Sequence, residues 1–246
     1  MKILVTGKNG QLGRSINELI KNHIYIDNSN YPNEFIFVGR DELDLNTEKN
    51  INKYFKKNAF DIIINCAAFT AVNQAEKEKA LANQINHVAV KKLANIAKSQ
   101  KAKLLHISTD YVFDGENDRP YTEVDPTNPL NIYGKTKLAG EQAIQEIMPI
   151  DSTIIRTSWV YSKYGNNFVN NILRLAKERS EINVVSDQIG SPTYASDLAN
   201  LIFRLINENE FRDVHKSQLY HYSNDGEVSW YEFAKEIIKI AKVDCK

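Results

Sequence analysis

No charge of one sign dominates this sequence: 31 Lys and Arg residues balance 31 Asp and Glu residues, for a formal net charge of zero over 246 residues. Without a positive surplus no long-range field draws in nucleic acid or an acidic membrane surface, and neither is expected as a partner. Cysteine is scarce, and the two present, Cys66 and Cys245, form neither a disulfide framework nor a Cys-x-x-Cys motif. Cys66 follows an apolar run and reads as a small buried side chain. The five histidines show no ligand spacing, so no metal is expected. No stretch approaches the roughly 18 uninterrupted apolar residues of a membrane span, and the apolar run in "MKILVTGKNGQ" is too short for a secretory signal. Tandem repeats and low-complexity segments are absent too. These absences predict a soluble protein of a reducing, cytoplasmic compartment.

What is present is ordinary globular composition, 42% hydrophobic and 25% charged, with a clear rhythm. "KILVT" (2–6), "FIFVG" (35–39), "DIIIN" (61–65), "KLLHIS" (103–108) and "TIIRTS" (153–158) read as buried strands. Helical spacing fills 11–22, 47–57, 79–100 and 132–147 between them. This alternation predicts an α/β, Rossmann-like, doubly wound parallel sheet with helices on both faces. After residue 160 the rhythm loosens into helices near 167–179, 195–208 and 229–242, with strands at 182–185 and 219–222. Residues 1–160 are expected to form a dinucleotide-binding domain, and 161–246 mainly a smaller, interleaved substrate lobe. "NENEFRDVHKSQ" (207–218) reads as a polar surface connection.

"VTGKNGQLGRSI" places Gly7, Gly10 and Gly13 three apart, directly after the first strand and at the opening of the first helix. Gly7 permits a tight turn, Gly10 a close approach to a pyrophosphate, and Gly13 close packing of helix on strand. Gln11 and Leu12 stand at the helix start, where free N–H groups and the positive dipole end suit phosphate. The second strand ends "VGRDELDL". An arginine there suits a 2′-phosphate and an acid suits free ribose hydroxyls. Arg40 therefore points to NADP(H), while Asp41 keeps NAD(H) open. Asp44 and Leu45 are candidates to hold the adenine amino group and pack its ring.

The fourth strand ends "HISTDYVFDG", which delivers Ser108 and Thr109 to the carboxyl edge of the sheet, where ligands of such sheets lie. Some 25 residues on, "PLNIYGKTKLAGEQ" sets Tyr133 four positions before Lys137, on one helical face, with Lys135 facing elsewhere. A ketone reduction needs a hydride on carbon and a proton on the developing alkoxide. A phenol, with a free pKa of about 10, suits the second task if its pKa falls. A lysine charge about 4 Å away, at an effective dielectric of about 20, is worth up to about 4 kcal/mol, as much as about three pKa units. Tyr133 is then the proton donor, Lys137 its tuner, and Thr109 the hydrogen-bond donor to the carbonyl oxygen.

With these motifs the sequence resembles the extended short-chain dehydrogenase/reductase superfamily and, within it, the dTDP-4-dehydrorhamnose reductase family. "GKNGQLG", "NCAAFTAVNQAE", "STDYVFDG", "PLNIYGKTKLAGE", "RTSWVY", "GNNF", "VVSDQIGSPTYASDLA" and "YHYSNDGEVSWYEFA" follow the family's order to about residue 234. The resemblance implies reduction of the 4-keto group of a dTDP-6-deoxy-4-ketohexose, with a nucleotide sugar as the partner; a homodimer is compatible with it. It further implies that Asn65, Ala67 and Ala68 form a small-residue floor under the cofactor. Thr70 and Val72 would line the cofactor–substrate junction, with Lys137 also binding the nicotinamide ribose. Tyr111 and Trp159 would be aromatic walls for sugar and base, with Gln188, Ser191 and Thr193 reaching the substrate.

Asn73 and Gln74 replace charges common in the family, and Arg14-Ser15-Ile16 stands where some members carry a metal-bridging glutamate. The chain also ends at "AKVDCK", tens of residues before such reductases usually end, which implies a truncated chain or an abbreviated pocket. Two rival readings stay open. A sugar-nucleotide epimerase or dehydratase is one, although Asp110-Tyr111 after Thr109 lacks the glutamate of a dehydratase. A non-catalytic NADP-binding regulatory subunit is the other, opposed by an intact Thr109, Tyr133 and Lys137.

Overall fold

A computed structural model describes residues 1–27, 33–207 and 218–245. The expected apolar runs become β1 (Lys2–Thr6), β2 (Glu34–Val38), β3 (Ile62–Asn65), β4 (Lys103–Thr109) and β5 (Ser152–Thr157). Short strands β6 (Val160–Tyr161), β7 (Ile189–Gly190) and β8 (Thr193–Tyr194) follow, then β9 (Gln218–Tyr222) and β10 (Val228–Ser229). The main sheet runs β2-β1-β3-β4-β5-β9, with every neighbouring pair parallel. Parallel neighbours need long crossovers. These are supplied by α1 (Gln11–Asp27), α2 (Glu48–Phe55), α3 (Val72–Ala75), α4 (Lys79–Asn83), α5 (Ala89–Gln100) and α6 (Ile132–Ile147). Beyond residue 160 lie α7 (Phe168–Glu178), α8 (Ala195–Asn207) and α9 (Trp230–Ala241).

Alternation along the strands sorts the core into two layers. Leu4, Ile63, Leu104 and Ile154 face Ile51 of α2, Val90 and Leu93 of α5 and Ile144 of α6. Ile3, Val5, Ile64, Leu105 and Ile155 face Leu12 and Ile16 of α1 and Leu198 and Ile202 of α8. Burial on both faces is why the strands read as unbroken apolar runs. The strand order reverses between β1 and β3, so the crevice that binds ligands opens at the carboxyl ends of those two strands.

Two expectations need correction. Residues 182–185 form no strand. Ile182 and Val184 do turn inward, onto the cluster of Ile172, Ala234 and Ile237, but no described strand pairs with them. The Val185 carbonyl instead accepts from the Tyr231 N–H at 3.1 Å. The single helix expected over 79–100 is broken by a π-helical turn at Gln84–Val88. That turn aims Asn86 inward, where it bonds both backbone groups of Phe69 (2.8 and 3.1 Å) and the Thr136 hydroxyl (3.2 Å). The polar connection expected at 207–218 lies, from 208 to 217, outside the described residues.

Candidate active site

At the switch point, Gly7 adopts a φ of +72° and its carbonyl accepts from the Gly10 N–H at 2.9 Å. A Cβ on Gly13 would lie 2.3 Å from the Gly7 oxygen, and one on Gly7 would lie 2.9 Å from the Ala67 nitrogen. Any side chain there would push helix, turn and the end of β3 apart. The first turn of α1 has N–H groups without intrahelical acceptors, so this backbone cradle fits the pyrophosphate of a dinucleotide. Leu12 sits in the core and has its N–H alone to offer. The Gln11 side chain is likewise committed. It donates to the Val160 carbonyl (3.1 Å) and accepts from Ser162 Oγ (3.0 Å) and Asn167 Nδ2 (2.9 Å), tying the loop to the smaller lobe.

At the end of β2, Arg40 keeps 71% of its side chain exposed and pairs with Asp44 at 3.6 Å. Asp44 also accepts from the Asn46 N–H at 3.0 Å. Both border a cavity of about 310 Å³ with Asp41, Lys53 and Tyr54, so the exposed guanidinium faces open space. Leu45 departs from expectation. It is buried among Leu43, Ile51 and Val38, because the turn after β2 needs an apolar plug, and its side chain is not free to cover a ring. Glu42 holds this corner by accepting from the Gly39 N–H (2.9 Å) and the Lys8 ammonium.

The reacting end is set by α6. Asn131 caps it, accepting from the Gly134 N–H at 2.8 Å, and Glu76 accepts from the Ile132 N–H at 2.8 Å. Gly134 lets the helix press on the turn after β4, since a Cβ there would stand 2.1 Å from the Tyr111 oxygen. Tyr133 is thereby driven among Val72, Phe69, Ala75 and Ala82, beside Thr109 and edge-on to the Tyr111 ring at 5.5 Å. Burial pushes the phenol pKa up; Thr109 opposes that rise and Asp110 adds to it. Thr109 itself donates to Asp110 at 3.0 Å, whose carboxyl burial pushes up to about 6.

Lys137 does not offset the rise at Tyr133. Its Nζ dips into the floor, donating to the Ile107 carbonyl (2.6 Å) and lying 3.1 Å from His106 Nε2. Desolvation lowers its pKa to about 8, against a raising influence from Glu141. The direct tuning expected from helical spacing is corrected: a buried amino group must find hydrogen-bond partners, and here they lie below the helix rather than one turn back. Ser108 is also spent, donating to Glu141 rather than facing the crevice.

The family model for the RmlD substrate binding domain matches residues 1–246. The chain belongs to the dTDP-4-dehydrorhamnose reductase family. The spore coat polysaccharide biosynthesis protein SpsK of Bacillus subtilis is 42% identical over 238 residues, 97% of this chain and 78% of the relative. A dTDP-4-dehydrorhamnose reductase structure from Clostridium acetobutylicum superposes with a TM-score of 0.90 at 41% identity, covering 100% of this chain and 82% of that one. A Bacillus anthracis dTDP-4-dehydrorhamnose reductase in complex with NADP gives 0.88 at 41% identity, with the same coverage.

In this reductase-family chain the segment after β5 carries a stacked pair of aromatics. Trp159, at the unusual φ of +47°, stacks on Trp230 with centroids 3.3 Å apart and planes 8° from parallel. Gly190 backs it, since a Cβ there would reach the indole at 2.7 Å. Tyr111 is 40% exposed at the crevice, Ala67 and Ala68 are half-buried, and Thr70 and Gln188 are exposed. Ser191 donates to the Gly226 carbonyl at 2.7 Å. Thr193 is a correction: it is fully buried and accepts from the Thr157 hydroxyl at 3.2 Å, because β8 pairs with β6 behind the surface. Sequence reasoning missed Trp230, Glu42, His106 and the buried Glu141–Arg156 ion pair (2.7 Å). A polar residue inside an apolar strand run is the signal that could have found His106 and Arg156.

Proposed function

We propose that this chain reduces the 4-keto group of dTDP-4-dehydro-L-rhamnose to dTDP-L-rhamnose with NADPH. The observation that carries the reading is Tyr133 set beside Thr109 and edge-on to Tyr111 at the crevice that the glycine cradle opens. NADPH, when bound, supplies the hydride. Thr109 then turns its one hydroxyl proton from Asp110 to the carbonyl oxygen as charge develops, and Tyr133 passes its phenolic proton to that oxygen. Lys137 presents its remaining N–H toward the cofactor ribose. The exposed Arg40 guanidinium suits a 2′-phosphate. Trp159, held by Trp230, and Tyr111 flank the nucleotide sugar, for which residues 161–246 supply most of the lobe. A cytoplasmic location accords with the cysteine usage.

The test is NADPH consumption with dTDP-4-dehydro-L-rhamnose, run beside Tyr133→Phe. Loss of the proton donor is expected to cut turnover by about 10²–10⁴-fold while NADPH binding persists. Undiminished turnover in Tyr133→Phe sinks the assigned role; NADPH binding without turnover in the unsubstituted protein favours a regulatory subunit.

A further inference from the structure

Beneath the crevice a line of buried polar side chains crosses three strands and ends on Lys137. Ala67 N–H donates to Thr6 Oγ1 (3.2 Å), and Thr6 Oγ1 donates to Asn65 Oδ1 (2.7 Å). Asn65 Nδ2 lies 3.0 Å from His106 Nδ1, and His106 Nε2 lies 3.1 Å from Lys137 Nζ. Thr6, Asn65, His106 and Lys137 are all within 2% of complete burial, so water does not complete their bonding.

The direction of this chain follows from its first member. A backbone N–H can only donate. Thr6 accepts from it and has one proton of its own, which goes to Asn65 Oδ1. The amide NH₂ of Asn65 therefore faces the imidazole, whose Nδ1 must accept. A neutral imidazole then carries its proton on Nε2, and that N–H points at Lys137. An ammonium has no lone pair to receive it, whereas a neutral amine does. Reversing the chain would turn the Asn65 amide round and leave the Thr6 hydroxyl proton without an acceptor within this set.

The geometry points to a polarised hydrogen-bond chain, Ala67–Thr6–Asn65–His106, that presents a donor to Lys137, favours its neutral amine and so sets the pH at which this lysine changes charge. His106 and Asn65 are positioning residues that act through Lys137. The other groups around the lysine are few. Cys66 stands at the end of β3, with its thiol pushed up to about 12 by burial, so it is uncharged near neutrality. Glu141 lies one turn on in α6, neutralised by Arg156 from β5. Asp110, after β4, acts on Tyr133 rather than on Lys137. The inference concerns the protein alone and stands independently of the sugar assigned above.

Two measurements test it. In the unsubstituted protein, long-range ¹H–¹⁵N correlations of His106, recorded above the Lys137 midpoint, are expected to show the Nε2–H tautomer. The Nδ1–H tautomer or an imidazolium overturns the proposal. The second is Asn65→Asp, which keeps the shape but has no N–H to give. Thr6 still finds an acceptor, His106 must protonate Nδ1 toward the carboxylate, and Nε2 becomes an acceptor that demands the ammonium. The Lys137 midpoint, read from its ¹³Cε shift, is expected to rise by about one unit or more, a tenfold change in proton affinity. A folded Asn65→Asp protein with an unmoved midpoint, or one in which His106 keeps the Nε2–H tautomer, overturns the proposal; the new carboxylate's field alone would raise the midpoint, and the switch of tautomer to Nδ1–H is what only the relay produces. Should that variant fail to fold, the tautomer decides.

Discussion

Arg156→Met is the perturbation for which the structure supports a worked magnitude. Glu141 is 1% exposed and Arg156 6%, with contacts of 3.0 Å (Nε to Oε1), 3.2 Å (Nε to Oε2) and 2.7 Å (Nη2 to Oε2). Ser108 donates to the same carboxylate, and Arg156 spreads over the Phe113 ring at 5.1 Å. Removing one partner of such a pair strands a charge where water cannot reach, at a cost of about 3–5 kcal/mol. For a chain of this size that corresponds to a fall in Tm of roughly 6–20 °C. Urea denaturation of the single variant, of Glu141→Gln and of the double variant closes the cycle. The double variant is expected to regain most of the loss, since no charge is left buried. A single-variant cost below about 1 kcal/mol, as for an exposed pair, or a double-variant cost equal to the sum of the singles, refutes the reasoning. The same pair pins α6, so Arg156→Met is also expected to lower turnover.

Three further outcomes are expected. Gly134→Ala drives a methyl against the Tyr111 carbonyl, which should cost about 1–3 kcal/mol and lower turnover more than NADPH affinity, as stopped-flow kinetics and calorimetry would show. Lys137→Ala should cripple reduction while Lys135→Ala, whose side chain is exposed, leaves it within about twofold in the NADPH assay. Because the folded pKa of Lys137 is depressed to about 8 below an unfolded value of about 10.4, the unfolded chain holds more protons between those values, and this group adds stability as pH rises through them. Lys137→Met should therefore be more stable than the unsubstituted protein below about pH 8, with the gap narrowing above it in urea titrations against pH.

Periodicity revealed the parallel sheet because each strand is buried on both faces, and Tyr133 with Lys137 because four residues make one helical turn. The same local logic misjudged where the Lys137 ammonium goes. Its hydrogen-bond partners come from β4, some thirty residues away in sequence, and no spacing rule carries that contact. Leu45 and Thr193 show the converse. Their motifs pointed to a ligand, but one plugs a turn and the other lies behind a two-residue ladder, and such a ladder is too short to leave a pattern. Trp230 was hidden for a third reason: its value to the site lies in stacking on Trp159, from a helix seventy residues later.

The placement of α8 and β9 bears on how this chain folds. β9 pairs with β5 over its whole length, and α8 packs on the sheet face beside α1. A nascent chain that has emerged only to residue 160 would therefore present β5 as an open edge, with Ile155 and Leu105 bare to solvent, a template for pairing with other chains. Closure waits for residues 195–222, so the main sheet completes itself late, with sequence from the far end of the chain. Cutting the chain after residue 160 would leave the main sheet without its sixth strand.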